Sequence, residues 1–299
     1  MEIKALKKFG QNFLKNKIKL EEIARAADIS AGDVIIEIGP GHGELTEFLV
    51  DKFLVFSDYD LILIEKDERL IRDLRDKISE SKWKNVEIVA GDALKILPEL
   101  TKNSKLKTRN YKIVGNIPYY ITGHLFRIIS ELENKPKLSV FTLQKEVAER
   151  ICGTPKAQPS PYGSGYPKAP IRKGEMNLLA ASIGVWAKPE IISYIPKTDF
   201  EPVPKVDSAV IRLTTNDLQL TTEELGRYYN FIHLLFKQPR KMIVNNLTSV
   251  IGNQQLVIGT KDEITEKLKK MGINPKSRPQ DLSVEQIVEL ASQYLVSRI

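Results

Sequence analysis

Apolar and polar positions along the chain fall into two regimes. Up to about residue 143, short continuous apolar runs recur: Asp33–Ile38 (DVIIEI), Leu61–Glu65 (LILIE), Val86–Ala90 (VEIVA), Lys112–Asn116 (KIVGN) and Leu138–Leu143 (LSVFTL). Runs this short, without alternation, predict strands covered on both faces of a parallel sheet. Between them the apolar positions take helical spacing, as over Asp67–Ser79, so the order of elements predicts βαβ units and a doubly wound α/β sheet. Glu190–Ile195 and Ser208–Leu213 then alternate like two strands around a proline-rich turn, which predicts an antiparallel hairpin at the sheet edge.

After Thr214 the strand pattern stops. Thr221 and Glu224 have capping-box spacing, and Leu225, Tyr228, Tyr229, Ile232, Leu235 and Phe236 repeat at helical spacing until Pro239. Ser283 with Gln286 opens a last helix. The expected organisation is an α/β domain over 1–215 and a small helical domain over 216–299. Between Gly153 and Gly174 five prolines lie among glycines, and the insert 153–175 reads as a loop.

Charge adds a partner to this picture. The 299 residues carry 45 basic and 38 acidic side chains, a net of +7. The excess sits in the arm 1–20, with six lysines against Glu2, and in the insert, with Lys156, Lys168, Arg172 and Lys173 against one acid. These stretches are either solvated surface or a rim facing a polyanion such as nucleic acid. The single Cys152 excludes an internal disulfide, and His42, His124 and His233 lack metal-ligand spacing, so no metal is expected and a reducing cytoplasm fits. No apolar stretch approaches the roughly 18 residues of a membrane span.

Two motifs carry candidate chemistry. Ile36–Thr46 (IEIGPGHGELT) places Glu37, Gly39, Gly41 and Gly43 at the end of the first long strand, where glycines let a ligand approach the backbone. A dinucleotide fingerprint wants a glycine where Glu44 stands, which counts against a nicotinamide cofactor. Glu65 ends the next strand, where a carboxylate can accept ribose hydroxyls, and Asp92 with Ala93 (GDAL) follows the third, where it can accept an adenine amino group. Each acid alone reads equally as an ordinary strand end; together they outline a nucleoside pocket. Val114–Thr122 (VGNIPYYIT) then gathers the Asn116 amide oxygen, the Ile117 carbonyl fixed by Pro118, and the Tyr119 ring in one corner. Two acceptors and an aromatic face suit an exocyclic amine, whose nitrogen becomes nucleophilic when both its protons are held.

At these residues the sequence resembles the ribosomal RNA adenine N6-dimethyltransferases, which methylate two adjacent adenines near the 3′ end of small-subunit rRNA. The likeness runs through KKFGQNFL (Lys7–Leu14), EIGPGHGELT, Glu65, GDAL, GNIPYYIT, QKEVAERI (Gln144–Ile151), FEPVPKVDSAVI (Phe200–Ile211) and FKQPRK (Phe236–Lys241). It implies the class I S-adenosylmethionine-dependent methyltransferase fold, with a seven-stranded, mostly parallel, Rossmann-like sheet bearing an antiparallel edge strand. It also implies S-adenosylmethionine as cofactor, with Gln11, Asn12 and Leu14 closing over it. Gly39 and Gly41 would line its methionine part, Glu65 its ribose and Asp92 its adenine, with Glu37, Ala93 and Asn116 also among the cofactor-binding residues. Asn116 and Tyr119 carry over as target-base residues and Phe200 as a second aromatic enclosing the flipped base. Lys7, Lys8, Arg240 and Lys241 carry over as rRNA contacts. A pre-30S particle is the implied partner and a cytoplasmic monomer the implied form. The insert departs from the family's shorter connection. A macrolide-resistance methylase of large-subunit rRNA is the rival, disfavoured by Asp207 where that class tends to carry asparagine. A non-catalytic assembly factor on the same scaffold is another.

Overall fold

The computed structural model describes residues 3–53, 60–80, 83, 85–102, 106, 109–153, 176–218, 220–248 and 260–295. The insert with Lys168, Arg172 and Lys173 lies outside the described residues. By its internal contacts the chain divides into two units. The first takes residues up to Glu149 and Pro189–Thr215; the second takes the end of the helix after Glu149, the segment 176–188, and the chain from Asn216 on. The segment 176–188 thus belongs with the carboxy-terminal helices, although in sequence it precedes the last strands.

The first unit is built on a seven-stranded sheet in the order β4-β3-β2-β5-β6-β9-β7. Its strands are β2 (Val34–Ile38), β3 (Asp60–Glu65), β4 (Val86–Ala90), β5 (Tyr111–Gly115), β6 (Leu138–Gln144), β7 (Ala187–Ile195) and β9 (Ser208–Thr215). The first five pair in parallel, and β9 runs antiparallel to β6. Every residue of β2 and β5 is buried, Glu37 and Lys112 included, as expected of strands covered on both faces. VEIVA is an exception: β4 ends the sheet, so its outer positions reach solvent and Glu87 is exposed.

Helix α1 (Lys17–Ala26) precedes β2, and α2 (Glu44–Phe53), α3 (Glu68–Glu80), α4 (Ala93–Leu100), α5 (Thr122–Glu131) and α6 (Lys145–Cys152) follow β2 to β6 in turn. Asn16 caps α1, its Oδ1 accepting the Ile18 and Lys19 amides at 3.0 and 3.3 Å. Leu20, Ile23 and Ala24 of α1 join Ile35, Leu49, Leu63 and Val140 in the core. A second, two-stranded sheet was not legible in the pattern: β1 (Phe13–Leu14) pairs antiparallel with β8 (Phe200–Glu201), tying the arm to the segment before β9.

The second unit contains α7 (Leu178–Gly184), α8 (Thr222–Leu235), α9 (Ile243–Leu247), α10 (Lys261–Lys270) and α11 (Val284–Leu295). Thr221 and Glu224 form the capping box expected of them, and Thr260 with Glu263 repeats it at α10. Tyr228 is buried and donates from its hydroxyl to the Ala181 carbonyl at 3.0 Å. Among the described residues no helix is long and apolar enough to cross a membrane, and no cluster of three or more His, Cys, Asp or Glu is placed to hold a metal.

Candidate active site

In a parallel sheet all strands end on one side, and β2 and β5 are adjacent strands whose following connections leave in opposite directions along the sheet. A crevice opens at such a point. Here it is a cavity lined by the glycine loop after β2, Glu65 and Lys66 after β3, Gly91–Leu94 after β4, Asn116–Ile121 after β5, and the arm residues Phe9–Leu14. Gln11, Asn12, Leu14, Glu37, Gly39, Gly41, Glu65, Asp92, Ala93, Asn116, Ile117, Pro118 and Tyr119 are thereby brought together around one space.

The glycine loop is open because its backbone is left-handed. Gly39 has φ +68°, and a Cβ there would find its nearest neighbour, the Asn116 carbonyl, only at 3.9 Å, so a side chain would project into the cavity. Gly41, at φ +63°, is closed for another reason: a Cβ would lie 2.9 Å from the Phe13 ring of the arm. Beneath the loop Glu37 is fully buried, with the Thr46 hydroxyl donating to its Oε2 at 2.8 Å. Burial outweighs that single hydrogen bond, and the nearby Glu44 and Glu65 charges add to it, pushing the Glu37 carboxyl up to about 8.

Glu65 is pinned from behind. Its Oε1 accepts the Lys66 and Asp67 amides, each at 2.8 Å, and its Oε2 accepts the Gly41 amide at 3.3 Å. Burial still pushes this carboxyl above its ordinary value, against those three donors. Asp92 has two duties: Oδ1 caps α4 by accepting the Leu94 amide at 3.0 Å, and Oδ2 pairs with Lys66 Nζ at 2.8 Å. The Lys66 hydrogen bond, exceeding the cost of burial, holds Asp92 below the usual carboxylate range. Among the described residues lining this cavity Lys66 is the one cation, and Asp92 already engages it. A site with four acidic side chains, of which Glu37 holds its proton near neutral pH, and one paired lysine is poor for a pyrophosphate and suited to a ligand bearing hydroxyl and cationic groups.

The corner after β5 is fixed by distant partners. Asn116 Nδ2 donates to the Asn12 carbonyl of the arm at 2.8 Å, which leaves Oδ1 without a protein partner among the described residues. Ile117 is buried and Pro118 begins a tight turn over Tyr119–Ile121. The Tyr119 hydroxyl shares a 2.7 Å hydrogen bond with Ser208 Oγ at the start of β9, which fixes its ring. Tyr119 also lines a second cavity, together with arm residues 3–5 and 10–13, Lys15, His42, Gln144 and the segment 201–205. The arm segment Gly10–Phe13 and Tyr119 are therefore common to the walls of both cavities.

Phe200 lies apart from the residues gathered around the cavity. It lines neither cavity; its side chain is 2% exposed and packs in the core that includes Leu14 and Ile195. The cause is the unforeseen strand pair: β8 puts Phe200 opposite Leu14, and both turn inward. Lys8 is exposed, with Nζ 4.8 Å from the Phe9 ring centre, while the Lys7 side chain lies outside the described set. Arg240 and Lys241 are exposed in the second unit, in the turn between α8 and α9. Residues missed from the sequence include Asp67 and Arg69, which grip the arm, and Tyr120, whose ring sits where a Cβ on Gly10 would be 3.2 Å away. Nothing local ties Gln11 to Asp67 across 56 positions. His42, which lacks metal-ligand spacing in the sequence, lies edge-on to the Phe13 ring with centroids 4.5 Å apart.

Fold and site together define a nucleoside-cofactor transferase of the class I methyltransferase type. Comparison with known proteins narrows this. The family model described as ribosomal RNA adenine dimethylase matches residues 3–160 and 172–294. The chain belongs to that family. It is 31% identical to the ribosomal RNA small subunit methyltransferase A of Mycoplasma capricolum, over 99% of both chains. It is 33% identical to the protein of the same name from Nostoc sp., over 97% of this chain and 98% of the relative. Among solved structures, a dimethyladenosine transferase from Plasmodium falciparum superposes with a TM-score of 0.69 at 22% identity, covering 95% of this chain and 98% of that one. The 23S rRNA methyltransferase ErmE does so with 0.65 at 23%, covering 94% and 99%. At that identity the two structures speak to the fold. The protein is an rRNA adenine dimethyltransferase.

Proposed function

We propose that the protein transfers methyl groups from S-adenosylmethionine to the N6 amino groups of two adjacent adenosines near the 3′ end of small-subunit rRNA, within a pre-30S particle. It does so as a cytoplasmic monomer. The observation that carries the reading is the Asn116 amide: its donor end is spent on the Asn12 carbonyl, and its acceptor end remains for an amine. The donor set of the cofactor cavity fits the proposed group. Glu65 offers carboxylate oxygens to ribose hydroxyls, Asp92 to an adenine amino group, and the space beside Gly39 admits a chain close to the backbone. When bound, the cofactor supplies an electrophilic methyl on a sulfonium.

The protein's own part is to present the amine. Asn116 Oδ1 and the Ile117 carbonyl accept hydrogen bonds from the two N6 N–H groups, drawing the nitrogen lone pair out of the ring and toward the methyl; the proton that the methylated nitrogen sheds passes to solvent. Tyr119, braced by Ser208, stacks on the extruded base. No side chain in the corner is a strong base, so alignment rather than proton abstraction supplies the rate. Lys8, Lys7, Arg240 and Lys241 are assigned to the rRNA backbone as charge contacts.

The test incubates the protein and methyl-labelled S-adenosylmethionine with unmethylated small subunits, and separately with large-subunit rRNA, followed by digestion to nucleosides. Dimethyladenosine from the small subunit alone is expected. Label in large-subunit rRNA would move the protein to the resistance class. Asn116→Ala is expected to lose at least about a hundredfold in kcat with cofactor affinity little changed.

A further inference from the structure

The arm is held by groups that belong to neither the glycine loop nor the corner after β5. Gln11 Nε2 donates to Asp67 Oδ2 at 3.0 Å, and its Oε1 accepts the Leu6 amide at 2.7 Å. Arg69 grips the same carboxylate, Nε to Oδ1 at 3.0 Å and Nη2 to Oδ2 at 2.7 Å, and its Nη1 reaches the Lys4 carbonyl at 3.1 Å. Burial would push Asp67 up, but the Arg69 and Gln11 donors outweigh it and hold the carboxyl at about 2, so the clasp stays charged at neutral pH. One residue beyond Gln11, the Asn12 carbonyl accepts Asn116 Nδ2 at 2.8 Å.

A side-chain amide has one donor end and one acceptor end, and turning it by half a circle exchanges them. A backbone carbonyl can only accept. Facing Asn12, the Asn116 amide must offer Nδ2, and Oδ1 is left for a donor on the other side; the reversed amide would set oxygen against oxygen and forfeit a part-buried hydrogen bond. A target amine needs that acceptor. The Asn12 carbonyl is held from both sides: on one, Gln11 is fastened to Asp67 at the foot of α3; on the other, Phe13 is paired in β1 with β8.

We infer, resting on the acceptor role proposed above for Asn116, that Asp67 and Arg69 are positioning residues for methyl transfer: through Gln11 and the Asn12 carbonyl they fix which end of the Asn116 amide meets the substrate. Neither residue lines the cofactor cavity. Their influence on rate passes along the arm.

Reversing one hydrogen bond tests this. Gln11→Glu keeps the acceptor for Leu6 but sets a carboxylate against Asp67, so the clasp repels. Adding Asp67→Asn restores a bond with donor and acceptor exchanged; the amide oxygen then present at position 67 still accepts from Arg69 Nε, while Arg69 Nη2, which shares Oδ2 with Gln11 in the wild type, gives up its bond there. Transfer to unmethylated small subunits is followed for both proteins at saturating cofactor, with the KM for cofactor and the thermal midpoint recorded. Q11E is expected to lower kcat about tenfold, the worth of one well-made hydrogen bond, and the double variant to return within about threefold of the starting rate. An unchanged kcat in Q11E, a loss confined to the cofactor KM, or a loss that the double variant does not regain overturns the inference. Asn116→Ala run alongside separates it from the reading beneath it: if N116A keeps full activity, the acceptor role itself fails and the positioning chain with it. If N116A is impaired and Q11E is not, the chain alone fails.

Discussion

Replacing Glu37 by glutamine should flatten the dependence of stability on pH. Glu37 sits in β2 with 1% of its surface exposed, its carboxyl raised from 4.5 to about 8 by burial, with the Thr46 hydroxyl as hydrogen-bond donor. A raised folded-state pKa means that the folded protein holds a proton that the unfolded chain gives up more readily. The resulting stabilisation is full below about pH 4.5, declines as pH rises and is gone above about 8. At about 1.4 kcal/mol per unit, the wild-type protein should lose about 3 kcal/mol from this group between about pH 5.5 and 8. The substituted amide keeps an acceptor for Thr46 and has no proton to lose. Urea unfolding of the cofactor-free proteins, followed by circular dichroism across that range, should therefore show the variant gaining on the wild type by about that amount as pH rises. A difference between the two proteins that does not change with pH would refute the protonated Glu37.

Two other perturbations probe the ligand side and the sheet. Glu65→Ala should weaken S-adenosylmethionine binding at least about tenfold by calorimetry while kcat at saturating cofactor stays within a few-fold; an unmoved Kd would remove Glu65 from the ribose. Gly115→Ala should cost about 2 kcal/mol in urea unfolding, because its Cβ would fall 2.6 Å from the Ile38 carbonyl of the neighbouring strand; wild-type stability would mean the two strands separate easily there.

Much of the catalytic architecture is written locally. Unbroken apolar runs made β2, β3 and β5 readable as central strands, and a strand that ends in a parallel sheet delivers the residue after it to a common edge. Gly39, Glu65, Asp92 and Asn116 each end or follow such a strand, and the first three outline a pocket in the sequence; the cavity they share with Asn116 is seen in the structure. The capping box at Thr221 was as direct, since its geometry spans only three residues.

What tertiary structure decided lies where partners are far apart in the chain. Phe200 beside a proline turn reads the same whether it faces a ligand or the core, and the pairing of β8 with β1 chose the core. Asp92 reads as a free strand-end acid until Lys66 is found across from it. Glu37 carries a charge on paper and a proton in the fold, because the surrounding sheet removes water that no local pattern can count. The arm looked like a basic tail; its contacts with Asp67 and Asn116 span 56 and 104 positions. Hydrophobic period fixes which residues turn inward within an element, but a hydrogen bond between segments exists only once the chain's path has brought them within about 3 Å, and that path is set by the whole core.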